Sequence, residues 1–201
     1  MACSARDGRR GVGRITGLEE HLEAAGRFYG QAVDLAKVRV KSSPLVFGGA
    51  AAWTCNNVVR FKAKRAEEVD LGTFIHELGH VWEHQTGQAQ LLKGLVEQAG
   101  RLRGKDPYDF GGPAGAGRTA RLQDLTKESQ AMILQECWRA LQGETDDTDG
   151  NAFTPEYVAD LKRLTEGAGI GSAPSGRRGP ASWVDAAAAA ITNGVLALVG
   201  S

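Results

Sequence analysis

The sequence has no excess of charge, few cysteines and no long uninterrupted apolar run. Its 201 residues carry 24 basic and 24 acidic side chains, so the formal net charge is zero. A balanced chain gives no indication of nucleic acid or an anionic membrane as a partner. The most apolar stretch, from Trp183 to Val199, is interrupted by Asn193 and Gly194. It is too short to cross a bilayer comfortably. We therefore predict neither nucleic-acid binding nor a membrane span.

The cysteines and the N-terminus bear on the compartment. Cys3, Cys55 and Cys137 are odd in number and lack the CxxC spacing of metal sites. Such a set favours reduced thiols over a disulfide framework. Residues 1–17 are polar and rich in arginine and glycine, without the apolar core of a signal peptide. These features together predict a cytoplasmic protein, and export that does not depend on a signal peptide stays open.

The length suits one domain with its own core. Residues 1–16 are small, basic and glycine-rich, which predicts a disordered segment. We expect the folded domain to span residues 17–168. Residues 169–201 begin with a linker of glycine, serine, proline and arginine and end in an alanine-rich helix.

Histidine is scarce, and three of the four histidines fall within residues 76–84. His76-Glu77-Leu78-Gly79-His80 is the HExxH pattern of zinc hydrolases. Residues four apart stack on one face of a helix, so His76 and His80 can hold one metal ion between them. Glu77 follows the first histidine, where its carboxylate can act on a water that the metal activates. The motif predicts a Zn²⁺ site with His76 and His80 as ligands and Glu77 as general base.

The flanking residues predict the helix that this motif requires. Asp70 can cap its start and Gly87 can end it. Gly79, between the two histidines, leaves room for another backbone to approach closely. The apolar residues recur at helical spacing and predict a buried face: Leu71, Phe74, Ile75, Leu78, Val81 and Trp82.

A zinc site needs a third protein ligand and an open position. His84 lies one turn too far along the same helix, so the third ligand must come from elsewhere. Glu128 is the best candidate, because it lies near the edge of the apolar side of a helix predicted over about residues 122–141. A buried carboxylate requires a partner, which a zinc ion would supply. Asp124 and Glu136, on the same predicted helix, remain alternatives.

The rest of the chain predicts an α+β domain, mainly helical, with a small mixed β-sheet before the HExxH helix. Strand patterns occur at residues 38–40 and on both sides of a turn at Asn56–Asn57. A further helix is predicted at residues 88–98, followed by a glycine-rich loop over residues 101–118. That loop carries Tyr108, whose side chain either faces the metal or anchors the loop; both interpretations stay open.

Residues Thr145 to Glu156 form an acidic segment with two interpretations. Asp147, Asp149 and Glu156 fall at three positions of a calcium-binding loop, but Thr145 occupies the place of its first aspartate. The alternative is an acidic turn followed by a helix with Thr154 at its N-cap and Pro155 in first position. We prefer the capped helix, because all its parts are present.

These residues together suggest a family. The HExxH motif, followed by residues 81–85 (VWEHQ), 108–110 (YDF) and 128–131 (ESQA), resembles small bacterial zincin-like metallopeptidases. Genes of that family often lie near type VI and other contractile injection systems. The resemblance covers about residues 17–142 and implies a minimal gluzincin domain with His76, His80 and Glu128 on zinc and Glu77 catalytic. It also implies a secretion-system partner. Glu83 departs from the family pattern, where glutamine is common, and Ser129 replaces another glutamine.

The sequence thus predicts a zinc peptidase acting on a peptide or protein substrate. Zinc would polarise the scissile carbonyl, Glu77 would carry the proton, and Tyr108 could stabilise the oxyanion. The substrate would add as a strand to an exposed edge at residues 57–61. Two alternatives remain: a catalytically silent, zinc-stabilised adaptor or cargo module of a secretion system, and a zinc hydrolase of a non-peptide amide. Cys55 distinguishes the non-peptide amide hydrolase from the other two interpretations, because that chemistry can use a cysteine as a metal ligand.

Overall fold

The computed structural model describes residues 13–15, 17–43, 51–63, 65–88, 106 and 108–171. The α+β class and the small mixed sheet before the HExxH helix are confirmed. The strands and helices of the described residues are, in chain order, β1 Gly13–Arg14, α1 Glu19–Tyr29, β2 Arg39–Ser42, β3 Ala52–Cys55, β4 Val58–Phe61, α2 Leu71–Gln85, α3 Gly112–Arg118, α4 Lys127–Leu141 and α5 Pro155–Gly167.

The sheet has the strand order β1-β2-β4-β3. Strands β3 and β4 form the predicted antiparallel hairpin, and Asn56 at its turn has a left-handed backbone with φ of 54°. Strand β2 pairs in parallel with β4. Because β4 has a neighbour on each side, the predicted substrate edge at residues 57–61 is wrong. Local pattern gave no sign of the long-range pairing of β2 with β4.

Helix α2 carries the HExxH motif and forms as predicted. The Asp70 carboxylate accepts a hydrogen bond from the Thr73 amide at 2.7 Å, which caps the first turn. Gly87 ends the helical segment with a positive φ of 74°. One face of α2 packs on α4 and β3. The apolar side chains of this face that are fully buried are Phe74, Ile75, Leu78, Val81 and Trp82.

Helix α4 begins later than the sequence predicted. Residues 122–124 form a separate 3-10 turn, and the helix starts only after Thr126. The Thr126 hydroxyl accepts from the Ser129 amide at 3.1 Å, so its side chain caps a new helix start rather than continuing the turn. Glu128 therefore lies in the first turn of α4, where the helix dipole favours a carboxylate.

The acidic segment before α5 folds on itself. The Asp147 carboxylate accepts hydrogen bonds from Asp149, from the backbone and side chain of Asn151, and from the Tyr157 hydroxyl. Its acceptor positions are thus used inside the loop. Thr154 caps α5 by accepting from the Tyr157 amide at 3.3 Å, as the capped-helix interpretation predicted.

The packed body extends beyond the predicted limits of residues 17–168 at both ends. Gly13–Arg14 pairs with β2, and Ile15 is buried, so this part of the predicted disordered segment belongs to the fold. Ile170 is likewise buried. Of the helix predicted over residues 88–98 only Gln88 is described, and the helix predicted over residues 183–199 lies outside the described residues. Within the described part, no helix has the length and apolar character needed to span a bilayer.

The cysteines depart from the prediction of three reduced thiols. Cys55 is disulfide-bonded, so the prediction is wrong for this residue. Cys137 is a free thiol, and burial raises its pKa to about 11. Cys3 lies outside the described residues. The odd number and wide spacing of the cysteines gave no sequence signal for the bond.

Candidate metal centre

Three predicted residues come together where α2 crosses α4. The donor atoms of His76, His80 and Glu128 all lie within 4.8 Å of one another. Among the described residues, this is the one group of three or more histidine, cysteine, aspartate or glutamate side chains that could hold a metal ion. His76 is buried, and the other two are partly buried. The two helices therefore present a compact set of two nitrogens and one oxygen.

The spacing of these donor atoms is that of ligands around one metal ion. The Glu128 Oε2 atom lies 3.5 Å from His76 Nε2 and 3.3 Å from His80 Nε2. Ligands held by one tetrahedral zinc at about 2.0–2.1 Å lie about 3.3–3.4 Å apart. Two imidazoles and a carboxylate are also a donor set that zinc accepts in catalytic sites. The residues present thus fit a zinc ion.

The electrostatics of the cluster favour a positive charge between its members. Burial alone would lower the pKa of His80, but Glu128 and Glu83 outweigh it and raise that pKa well above its usual range. Burial would raise the pKa of Glu128, but the two histidines lower it far below its ordinary value. A metal ion at this place competes with protons for the same donors.

Glu77 lies on the same helix and is held by the sheet. It is 7% exposed, and its Oε2 atom accepts a hydrogen bond from the Thr54 hydroxyl at 2.5 Å. Thr54 lies in the middle of β3 and also contacts the Glu77 carbonyl oxygen at 3.3 Å. Strand β3 therefore holds the carboxylate of the residue that directly follows His76. Thr54 was missed in the sequence, although strand alternation places it on the same face as buried Ala52.

Tyr108 lies beside the cluster. Its ring centroid is 6.0 Å from that of His76, and the side chain is 41% exposed. The loop that follows folds back onto α3, where a Cβ on Gly115 would lie 1.7 Å from the Phe110 carbonyl oxygen. Only glycine permits this approach. Tyr108 is thus an exposed neighbour of His76, on the segment that leads into this approach.

The alternative ligands lie elsewhere. The Glu136 carboxylate accepts from the Thr148 hydroxyl and lies 3.6 Å from Arg139. Asp124 pairs with Arg121 at 2.8 Å on the surface. Cys55, in its disulfide, is not available as a thiolate.

The remaining histidines do not join the cluster either. His21 contacts the Val69 carbonyl oxygen at 2.9 Å, and His84 is not among the converging donors.

Comparison with known proteins gives one relevant likeness. The chain is 28% identical over 138 residues to the type VI secretion system spike protein VgrG2b of Pseudomonas aeruginosa strain PAO1. The match covers 59% of this chain but 12% of that protein. The chain therefore corresponds to a small part of the length of this relative. No family model matches the chain, and no solved structure matches it.

Proposed function

We propose that this chain is a zinc-dependent peptidase whose metal ligands are His76, His80 and Glu128. The observation that carries the proposal is the convergence of these three donors, at zinc-like spacing, with the buried Glu77 on the helix that carries both histidines. When bound, zinc would act as a Lewis acid on the scissile carbonyl and lower the pKa of water. Three protein ligands leave a fourth position open, as a catalytic site requires.

The residues around the donors have distinct roles in this proposal. Glu77 takes a proton from the attacking water and delivers it to the leaving amine. Thr54 holds one oxygen of Glu77, so the other remains free to face the substrate. Tyr108, exposed at the rim beside His76, supplies a hydroxyl donor to the developing oxyanion.

We further infer that a peptide substrate adds to β3 rather than to β4. In the strand order β1-β2-β4-β3, β3 is the last strand of the described sheet. It also carries Thr54, which touches the proposed base. A peptide hydrogen-bonded along this edge would thus pass close to Glu77.

An association with a type VI secretion system is part of the proposal. It is supported by the likeness to the spike protein VgrG2b. The disulfide at Cys55 points the same way, because disulfides persist in oxidising compartments rather than in the reducing cytosol. We infer that the chain works outside the cytoplasm after delivery, in contrast to the compartment predicted from the sequence.

The test combines metal content with cleavage of a peptide library. The wild-type chain is expected to hold zinc and to cleave peptides. Glu77→Gln should keep zinc and the fold but lose cleavage by about a hundredfold or more, because an amide cannot accept the water proton. His76→Ala should lose both. If wild-type protein loaded with zinc cleaves no peptide, the silent adaptor interpretation replaces the peptidase.

A further inference from the structure

Glu83 is a buried carboxylate with an incomplete set of partners. It is 2% exposed, and its Oε1 atom has no hydrogen-bond partner. Its Oε2 atom lies 3.4 Å from Nδ1 of His80, and no other described side chain forms a hydrogen bond with the carboxylate. The nearby Tyr29 hydroxyl donates instead to the Ile75 carbonyl oxygen at 2.6 Å. A buried carboxylate needs compensation, so His80 must supply it.

The contact falls on the nitrogen of His80 that faces away from the cluster. Nε2 of His80 faces Glu128, whereas Nδ1 faces Glu83. An acceptor at Nδ1 keeps the proton on that atom, so that Nε2 presents its lone pair. Carboxylates that accept from a metal-ligating histidine in this way fix its tautomer and raise its basicity.

The two histidines differ in this respect. His76 has a buried Nδ1 without a hydrogen-bond partner. Glu83 follows His80 by three residues on the helix, which brings the two side chains together. The residue three positions after His76 is Gly79, which has no side chain. The support of a carboxylate is therefore specific to His80.

We propose that Glu83 is a positioning residue for His80: it holds the proton on Nδ1, so that Nε2 binds the metal. This inference rests on the proposed metal site and deepens it. Glu83 also adds a negative charge behind the ligand set, which strengthens the attraction of a divalent cation. The glutamine expected here from the family resemblance would keep an acceptor but lose the charge.

The test measures zinc affinity by chelator competition in wild type, Glu83→Gln and Glu83→Leu. We expect a loss of about tenfold for glutamine and about a hundredfold for leucine. Glu136→Gln is the matched control, because Glu136 is equally buried on the other ligand-bearing helix but contacts Thr148 and Arg139. It should stay within about twofold of wild type. Equal affinities of Glu83→Leu and Glu136→Gln would overturn the proposal.

A second readout is the tautomer of His80 by ¹⁵N NMR at alkaline pH, before zinc is added. The proposal predicts the proton on Nδ1 in wild type and a shift to Nε2 in Glu83→Leu. Wild type with the proton on Nε2 would contradict it, and so would an unchanged tautomer in the variant. If Glu83→Leu does not fold, Glu83→Gln decides. A wild-type chain that takes up no zinc refutes the metal site, whereas normal zinc binding in the Glu83 variants refutes only this inference.

Discussion

Two glutamates on one helix show what single residues contribute. Glu128 and Glu136 lie eight positions apart on α4, and both were candidate ligands in the sequence. Glu128 faces the two histidines, whereas Glu136 is buried with Thr148 and Arg139. The sequence narrowed the choice by the apolar pattern of the helix and by family resemblance. The crossing of α2 and α4 decides which carboxylate lies next to the histidines. The sequence of either helix alone does not predict that crossing.

The environment of Glu136 leads to a pH-dependent prediction. Burial raises the pKa of Glu136, and the Thr148 hydroxyl and Arg139 offset this only in part. A carboxyl whose pKa is raised by folding contributes stability below its unfolded value and loses it as the pH rises through the folded value. Glu136→Gln should therefore match wild type in acid and exceed its free energy of unfolding at neutral pH.

Urea unfolding of wild type and Glu136→Gln across this pH range measures the difference. The stability gap should open as the pH rises and level off once Glu136 is ionised in the folded protein. A variant that becomes less stable than wild type toward neutral pH would show that the ion pair with Arg139 outweighs burial.

At the scale of elements, the sequence predicted individual helices and hairpins better than their contacts. The cap at Asp70 and the turn at Asn56–Asn57 were visible because each depends on residues close in sequence. The parallel pairing of β2 with β4 was not visible, because it joins segments separated by a long connection. The late start of α4 was missed because the sequence around Thr126 did not show that its hydroxyl would cap a new helix rather than lie inside a longer one.

The helices α2 and α4, which carry the proposed metal ligands, approach each other closely at Gly79. A Cβ on Gly79 would lie 3.2 Å from Ala131 Cα and 3.2 Å from a Leu134 methyl carbon. Gly79→Ala should push the helices apart and move Glu128 away from the histidines. We expect zinc affinity to fall about tenfold or more, although no ligand is changed and alanine favours the helix.

Gly72→Ala is the control for this effect on the same helix. Its Cβ would lie 3.2 Å from the Asp70 carboxylate oxygen that caps the helix and 3.6 Å from the Gln135 side-chain nitrogen, and it would not meet the backbone of α4. Zinc affinity should remain near that of wild type. Chelator competition on both variants decides, and normal affinity in Gly79→Ala would mean that helix spacing does not set the site.

At the scale of the whole molecule, one cluster links the fold to its proposed chemistry. Helix α2 supplies two donors and the proposed base Glu77, α4 supplies the third donor, and β3 contacts Glu77 through Thr54. Because zinc would bind only the folded chain, it should stabilise the protein as well as activate it. The HExxH motif alone predicted His76, Glu77 and His80 as members of this cluster. The supporting contacts of Thr54 and Glu83 needed the three-dimensional structure.

The most direct test of the metal centre is the zinc affinity of Glu128→Ala, measured by chelator competition. Wild type should bind one zinc per chain. The zinc affinity of Glu128→Ala should fall by more than the roughly hundredfold expected when a residue that only supports a ligand is replaced, because this variant removes a ligand itself. Asp124→Ala, which removes an exposed partner of Arg121 four residues earlier, should bind zinc like wild type. Equal zinc binding by Glu128→Ala and wild type would contradict a site built from His76, His80 and Glu128.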